Sequence, residues 1–329
     1  MSRLVMAQKI FKEHPIKIIL ATLCMLLFIG IKLWDSYAPL SIHDWNQKEI
    51  SRINVADPND FTFAVCGDNR GNRSVFVALL RNIDHDIEIA FAIDCGDLVG
   101  TGKRVRFRRF LNQVEENLAI PLLTAIGNHD LKHGSATYRE IFGSTYYSFH
   151  VGKSYFIVLD ATTETGFDTA ERKWLGEELQ RAKTSAARFV FMHVPVFDPR
   201  GGKYHKCLPE KDQKDLLDLF KRYRVTHLFA SHIHGWFSGV WEGVPYTITG
   251  GAGAKLEGDD SQHFFHHYVT VHLRNGKTDV MVRRVDAEDG ARYFFDLVED
   301  YLLGWSLVLG ASISLFTLAL SMKNRHLKY

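Results

Sequence analysis

An α/β fold built on parallel strands is what this sequence predicts, on three observations. Five apolar, β-rich runs recur along the chain: FTFAV, IEIAFAI, IPLLTAI, ARFVF and THLFA. Longer helix-like patterns separate them, and near-continuous apolar strands alternating with helices mark a buried parallel sheet. Each run is followed by a short block of polar side chains able to hold a metal: Asp68 in CGDNR, Asp97 in CGDLVG, Asn128-His129-Asp130 in GNHD, His193 in FMHVP, and His232 and His234 in SHIHG. Ligand sites of open α/β sheets lie beyond the carboxyl ends of the strands. All five blocks are therefore expected to converge on one pocket.

The elements follow in chain order. Residues 1–15 form a basic tail with Arg3, Lys9 and Lys12. Residues 16–34 read as a transmembrane helix: Ile18–Ile31 is an unbroken apolar run, and Lys17 and Lys32 can snorkel to extend it to Trp34. Pro39 after the small-residue site Ser36-Tyr37-Ala38 speaks for an uncleaved anchor over a signal peptide. A polar linker is expected over 35–60, the α/β domain over 61–285 and a second linker over 286–300. Tyr301–Met322 carries no charge along its whole length, about 33 Å as a helix, enough for a hydrocarbon core of about 30 Å. Residues 323–329 form a second basic tail. The Lys/Arg bias around the first span puts both termini in the cytoplasm and the domain on the opposite side. Ser306, Gly310 and Ser314 make a small-residue face suited to helix packing.

Carboxylate, amide oxygen and imidazole together suit Mn, Fe, Zn or Co, with no thiolate needed. A carboxylate can bridge two cations, and Asp97, central in the series, is the natural bridge. Two ions roughly 3.5–4 Å apart can clamp the attacking and leaving oxygens of a phosphoryl displacement. His129 has no need to ligate; oriented by Asp130, it can give a proton to the leaving oxygen or stabilise developing charge.

With these blocks in this order, the stretch from about Phe61 to about Val285 resembles the calcineurin-like metallophosphoesterase superfamily, whose motifs run D-x-H, GD, GNH[DE], H, GHxH. The stretches YYSFHVGKSYFIVLD and FDTAERKWLGEELQRAK also look like the family, as a strand pair and the helix after it. The resemblance implies a four-layer α/β/β/α sandwich, here flanked by the two transmembrane helices. It implies two divalent ions, Mn, Fe or Zn: one held by Asp68, Asp97 and His234, the other by Asp97, Asn128, His193 and His232. His129 is then the catalytic histidine.

The first block departs from the family pattern, because D-x-H has become Asp68-Asn69-Arg70. Arginine is always protonated and cannot ligate a metal. Arg70 can bind a substrate phosphate bidentately, together with Asn128. Alternatively it pairs with a nearby carboxylate, leaving the first metal weak or absent.

A formal net charge of +2, with both signs interspersed, gives no footprint for nucleic acid. Four cysteines do not make a disulfide scaffold. Cys66 and Cys95 precede Asp68 and Asp97 by two residues each, either as a bridge or as small buried thiols. The run KRVRFRRF at Lys103–Phe110 offers a basic edge to lipid or phosphate, or a solvated helix face with Val105 and Phe110 turned inward. The loop Asp198–Glu210 carries Arg200, Lys203, His205 and Lys206 beside a ligand block. His263, His266 and His267 precede a strand and can approach the site.

The reading reached is a membrane-anchored, metal-dependent phosphoesterase in which a metal-activated hydroxide attacks phosphorus. Two anchors around one domain favour a lipid-linked or membrane-proximal phosphoester. Soluble phosphodiesters, and a non-catalytic metal-binding sensor or scaffold of the same fold, are the alternatives. The sequence assigns neither mono- against diesterase activity nor an oligomeric state.

Overall fold

The computed structural model describes residues 15–37, 42–162, 168–201, 207–287 and 308–313. The chain divides into two compact units, Leu40–Asp289 and a second made of Met1–Pro39 with Gly290–Tyr329.

The larger unit is built on two mixed sheets. In the first, β1 (Asp60–Cys66) lies at the centre, parallel to β2 (Ile89–Asp94), which is parallel in turn to β3 (Leu122–Thr124). On its other side β1 runs antiparallel to β10 (His267–Arg274), which pairs with β11 (Lys277–Arg284) at the edge. The second sheet has the order β4 (Tyr147–Val151), β5 (Ser154–Val158), β6 (Ala187–Phe191), β7 (His227–Ala230), β9 (Val244–Thr249), β8 (Trp236–Trp241), with β5, β6, β7 and β9 parallel. Burial explains the sequence patterns. β6 is buried at every residue and β1 at all but Asp60, so both read as continuous apolar runs, whereas the edge strand β11 has no fully buried residue.

Three cores give the layers. Between the sheets lies an aromatic core with Phe63, Phe91, Phe156, Phe189, Phe191 and Phe229. On the outer face of the first sheet, α3 (Arg73–His85), α4 (Arg104–Asn117) and α5 (Ala136–Phe142) bury Phe76, Phe107, Phe110 and Tyr138. On the outer face of the second, α6 (Thr169–Arg181) and α7 (Glu210–Arg222) bury Leu175, Leu179, Leu216 and Phe220. The order is helix, sheet, sheet, helix. α4 turns Phe110 inward as expected, together with Phe107, while Val105 is only partly buried and Arg104 pairs with Glu140.

The stretch expected as a linker over 35–60 contributes α2 (Trp45–Arg52), which belongs to the larger unit. Its side chains finish the open edge of β3. Trp45 Nε1 donates to the Leu122 carbonyl at 2.7 Å, and Asn46 both donates to Thr124 O (3.3 Å) and accepts from Thr124 N (2.8 Å). Glu49 Oε2 accepts from Leu122 N at 3.3 Å. A buried sheet edge needs such partners for its N–H and C=O groups.

The membrane crossings expected at 16–34 and 301–322 are not supported. Among the described residues no helix is long and apolar enough to cross a membrane. In α1 (Pro15–Tyr37) the run between Lys17 and Lys32 is about 21 Å long as a helix, short of a core of about 30 Å. Of the second stretch only 308–313, which is helical, is described, and the expected basic tails lie outside the described residues apart from Pro15. Within this unit Ala21 and Ala311 are buried, and a Cβ on Gly310 would meet Cys24 Sγ at 3.9 Å.

Candidate metal centre

The loops leaving β1, β2 and β3 in one sheet and β6 and β7 in the other bring the five blocks together. Four of their residues adopt the left-handed backbone region that side chains rarely enter: Asp68 (φ 62), Arg70 (φ 49), Asp97 (φ 58) and His232 (φ 69). Strain of this kind concentrates at functional sites. The loops touch backbone to backbone. A Cβ on Gly127 would lie 2.1 Å from the Asp97 amide nitrogen, so only glycine lets GNHD approach the Asp97 loop.

Asp68, Asp97 and His193 form a buried cluster able to hold a metal ion. Asp97 is fully buried. Its Oδ1 accepts the His129 backbone N–H at 2.8 Å and lies 3.4 Å from His193 Nε2. His193 Nε2 is also 2.9 Å from Asn128 Oδ1 and 3.2 Å from His232 Nδ1. His234 Nε2 lies 3.4 Å from Asp68 Oδ1, and neither of those buried atoms has a hydrogen-bond partner. Asp68 Oδ2 accepts from the His232 amide at 2.5 Å. Burial works against the Asp68 charge, but His234 in its charged form, helped by His193 and Arg70, outweighs that and holds the carboxyl well below the usual range.

Backbone carbonyls fix the tautomers. His193 Nδ1 is 3.0 Å from the Cys95 carbonyl and His234 Nδ1 is 2.6 Å from the Lys255 carbonyl. A carbonyl only accepts, so both Nδ1 atoms carry a proton, and in the neutral ring each Nε2 presents a lone pair. Ser231 Oγ, donating to Cys95 O at 2.8 Å, steadies the first of these. With neutral rings, lone pair then faces lone pair: His193 Nε2 against Asn128 Oδ1 and Asp97 Oδ1, and His234 Nε2 against Asp68 Oδ1. Donors about 2.0–2.1 Å from a first-row ion stand roughly 3–3.4 Å apart. The side chains present therefore fit a divalent cation.

One expected role changes. Asp130 does not orient His129. Its carboxylate accepts backbone N–H groups of Gly127 (2.9 Å), Val99 (3.1 Å) and Leu98 (3.3 Å), locking GNHD to the Asp97 loop. Burial, reinforced by Asp97, pushes its pKa well up. His129 is held instead by the Gly100 carbonyl, 2.9 Å from Nδ1, and the exposed Lys132 ammonium also reaches that nitrogen at 2.8 Å. Burial lowers the His129 pKa against the pull of Asp97. Arg70, for which two roles were open, pairs with Asp97: Nε and Nη2 lie 2.9 and 2.8 Å from Oδ2.

Sequence reading missed Asp94, which accepts from Asn69 Nδ2 and Gly96 N, each at 3.0 Å, and so ties the Asp68 and Asp97 loops together. Its signal was a carboxylate ending an otherwise apolar strand. Cys66 and Cys95 are free buried thiols, raised by burial. His263, His266 and His267 each place Nδ1 against a backbone carbonyl. Lys203, His205 and Lys206 lie outside the described residues. Glu257, whose Oε1 is 3.7 Å from His234 Nδ1, also lines a pocket of about 510 Å³ with Arg200, Phe237, Tyr246, His263 and Phe264.

The calcineurin-like phosphoesterase family model matches residues 61–236, more than half of the chain. The chain belongs to the calcineurin-like phosphoesterase family. Among curated members, the serine/threonine-protein phosphatase CPPED1 of Rattus norvegicus is 27% identical over 199 residues, covering 51% of this chain and 61% of that protein. The "Probable cyclic nucleotide phosphodiesterase RPA0124" of Rhodopseudomonas palustris is 27% identical over 184 residues, 52% of this chain and 66% of that one. The match thus spans about three-fifths of the length of the first of these relatives. Among solved structures, the purple acid phosphatase PPD1 of yellow lupin superposes with a TM-score of 0.58 at 15% identity, over 70% of this chain and 53% of that one, a likeness of fold.

Proposed function

We propose that this calcineurin-like phosphoesterase is a metal-dependent phosphoester hydrolase centred on Asp97. The observation that carries the reading is the set of ligand atoms turned on one another around His193 Nε2, an arrangement suited to a shared cation. A divalent ion bound there supplies Lewis-acid stabilisation of phosphoryl oxygens and makes water acidic enough to react near neutral pH. The chain's own groups do the rest. Asp97, Asn128, His193 and His232 would hold the ion, and Asp68 and His234 offer a second pair of donors. His129, with Nδ1 fixed by Gly100, can give a proton from Nε2 to the leaving oxygen when its ring is charged, the form that Asp97 favours and burial opposes. Arg70 and the Asn128 amide are the groups for phosphoryl oxygens. The names of the relatives support both phosphatase and phosphodiesterase chemistry.

Chelator treatment is expected to cut hydrolysis of an aryl phosphomonoester or a bis-aryl phosphodiester by at least about a hundredfold, with recovery on adding Mn²⁺. An undiminished rate in the stripped protein would sink the reading. The faster of the two substrates sorts mono- from diesterase.

Attachment to lipid, and a lipid-linked phosphoester with it, is a finer part of the proposal. It is supported by α1, whose Leu20, Leu23, Leu26, Leu27 and Trp34 are exposed, beyond what isolated surface hydrophobics explain. The full chain is expected to float with phospholipid vesicles. The combined substitution Leu23→Asp, Leu26→Asp and Leu27→Asp is expected to leave it at the bottom of the gradient. Flotation of neither protein rules the attachment out, and equal flotation of both rules out attachment through this face of α1.

A further inference from the structure

We infer that this chain holds one divalent ion, and that the guanidinium of Arg70 is built into the place of a second. The inference rests on the hydrolase reading and deepens it. One donor set is complete: Asp97 Oδ1, Asn128 Oδ1 and His232 Nδ1 stand 3.4, 2.9 and 3.2 Å from His193 Nε2. First-row sites draw three or four ligands from protein, at spacings of that size. The other set is broken. It would consist of Asp68, Asp97 and His234, but Asp97 gives its Oδ2 to Arg70 through two contacts, at 2.9 and 2.8 Å. Only Asp68 Oδ1 and His234 Nε2 remain, 3.4 Å apart.

Arg70 is not a casual rotamer there. Its backbone takes φ 49, unusual for a branched-out side chain, and its N–H donates to the Asp97 carbonyl at 2.9 Å. Main chain and side chain are thus both tied to Asp97. Arginine keeps its proton at any accessible pH, so the positive charge is permanent and a divalent ion on the same carboxylate oxygen would be repelled. The guanidinium does part of what that ion would do. It neutralises the outer oxygen of Asp97, and with its side chain 17% exposed it can still meet an incoming phosphoryl oxygen. The centre is one unit of charge less positive than a two-ion centre.

The full chain, stripped with a chelator, reloaded with Mn²⁺ and desalted, is expected to retain one ion by elemental analysis. Arg70→His puts an imidazole where the guanidinium stood and is expected to raise the count to two, with an exchange-coupled Mn²⁺ pair in the electron paramagnetic resonance spectrum. Two ions in the wild type overturn the inference and leave the hydrolase reading standing; none in the wild type overturns both. A count still at one in a folded Arg70→His chain overturns it as well, because the arginine was then not what kept the second ion out. The wild-type count depends on no variant folding.

Discussion

Asp97→Ala is expected to abolish Mn²⁺ retention and to lower kcat/KM for an aryl phosphate by at least about a thousandfold, roughly 4 kcal/mol of transition-state stabilisation. Both oxygens of Asp97 are engaged by neighbours in the centre. Oδ1 receives the His129 N–H and faces His193, and Oδ2 carries Arg70. Alanine therefore removes a ligand, loosens the loop bearing the proton donor and strands a half-buried guanidinium. Breaking one partner of a buried ion pair costs about 3–5 kcal/mol, so some loss of stability is expected with the loss of rate. Asp97→Asn separates the two effects, since it keeps the shape and one oxygen while giving up the charge. His129→Ala is the contrast, with Mn²⁺ retained and the rate lowered about a hundredfold. An Asp97→Ala protein within tenfold of wild type would mean that the reaction, if any, takes place elsewhere.

Much of this centre was legible because strand burial and strand ends leave marks in the sequence. β1 and β6 are covered on both faces, so their residues cannot alternate, and the polar block after each stands out against the run before it. What was not legible lay in contacts that leave no pattern. The groups orienting His193, His234 and His129 are main-chain carbonyls of Cys95, Lys255 and Gly100, and every residue has one. Asp130 sits next to His129 in sequence, yet its carboxylate turns to three amides, one in its own loop and two in the loop after Asp97. Adjacency in a tight loop says little about which way two side chains point. α2 looked like a linker because WNQKEISR has little to bury; it holds on through polar groups that complete the edge of β3. The partner of Arg70 needed a distance, which spacing along the chain does not supply.

Phe63→Ala is expected to cost about 3–5 kcal/mol, the range for emptying a fully buried aromatic site. At about 2–4 °C per kcal/mol for a domain of this size, the midpoint should fall by roughly 6–20 °C. Phe63 is fully buried between the sheets and meets both of them. Its ring stacks on Phe91 of β2 at 5.4 Å and meets Phe156, Phe189, Phe191 and Phe229 of the facing sheet edge-on at 5.4, 5.2, 6.2 and 6.3 Å. Four of the strands that meet in this cluster end at the centre: β1 at Asp68, β2 at Asp97, β6 at His193, β7 at His232. The donors come from two sheets, so their spacing is a property of how the sheets pack, and Phe63 is in the middle of that packing. Phe220→Ala empties a comparable site on the outer face of the second sheet, away from the inter-sheet core. Mn²⁺ affinity measured well below both midpoints should therefore fall in Phe63→Ala and hold in Phe220→Ala, at similar losses of stability. Equal affinity loss in both variants would mean that the loops set the donor spacing by themselves and the aromatic core only keeps the domain folded.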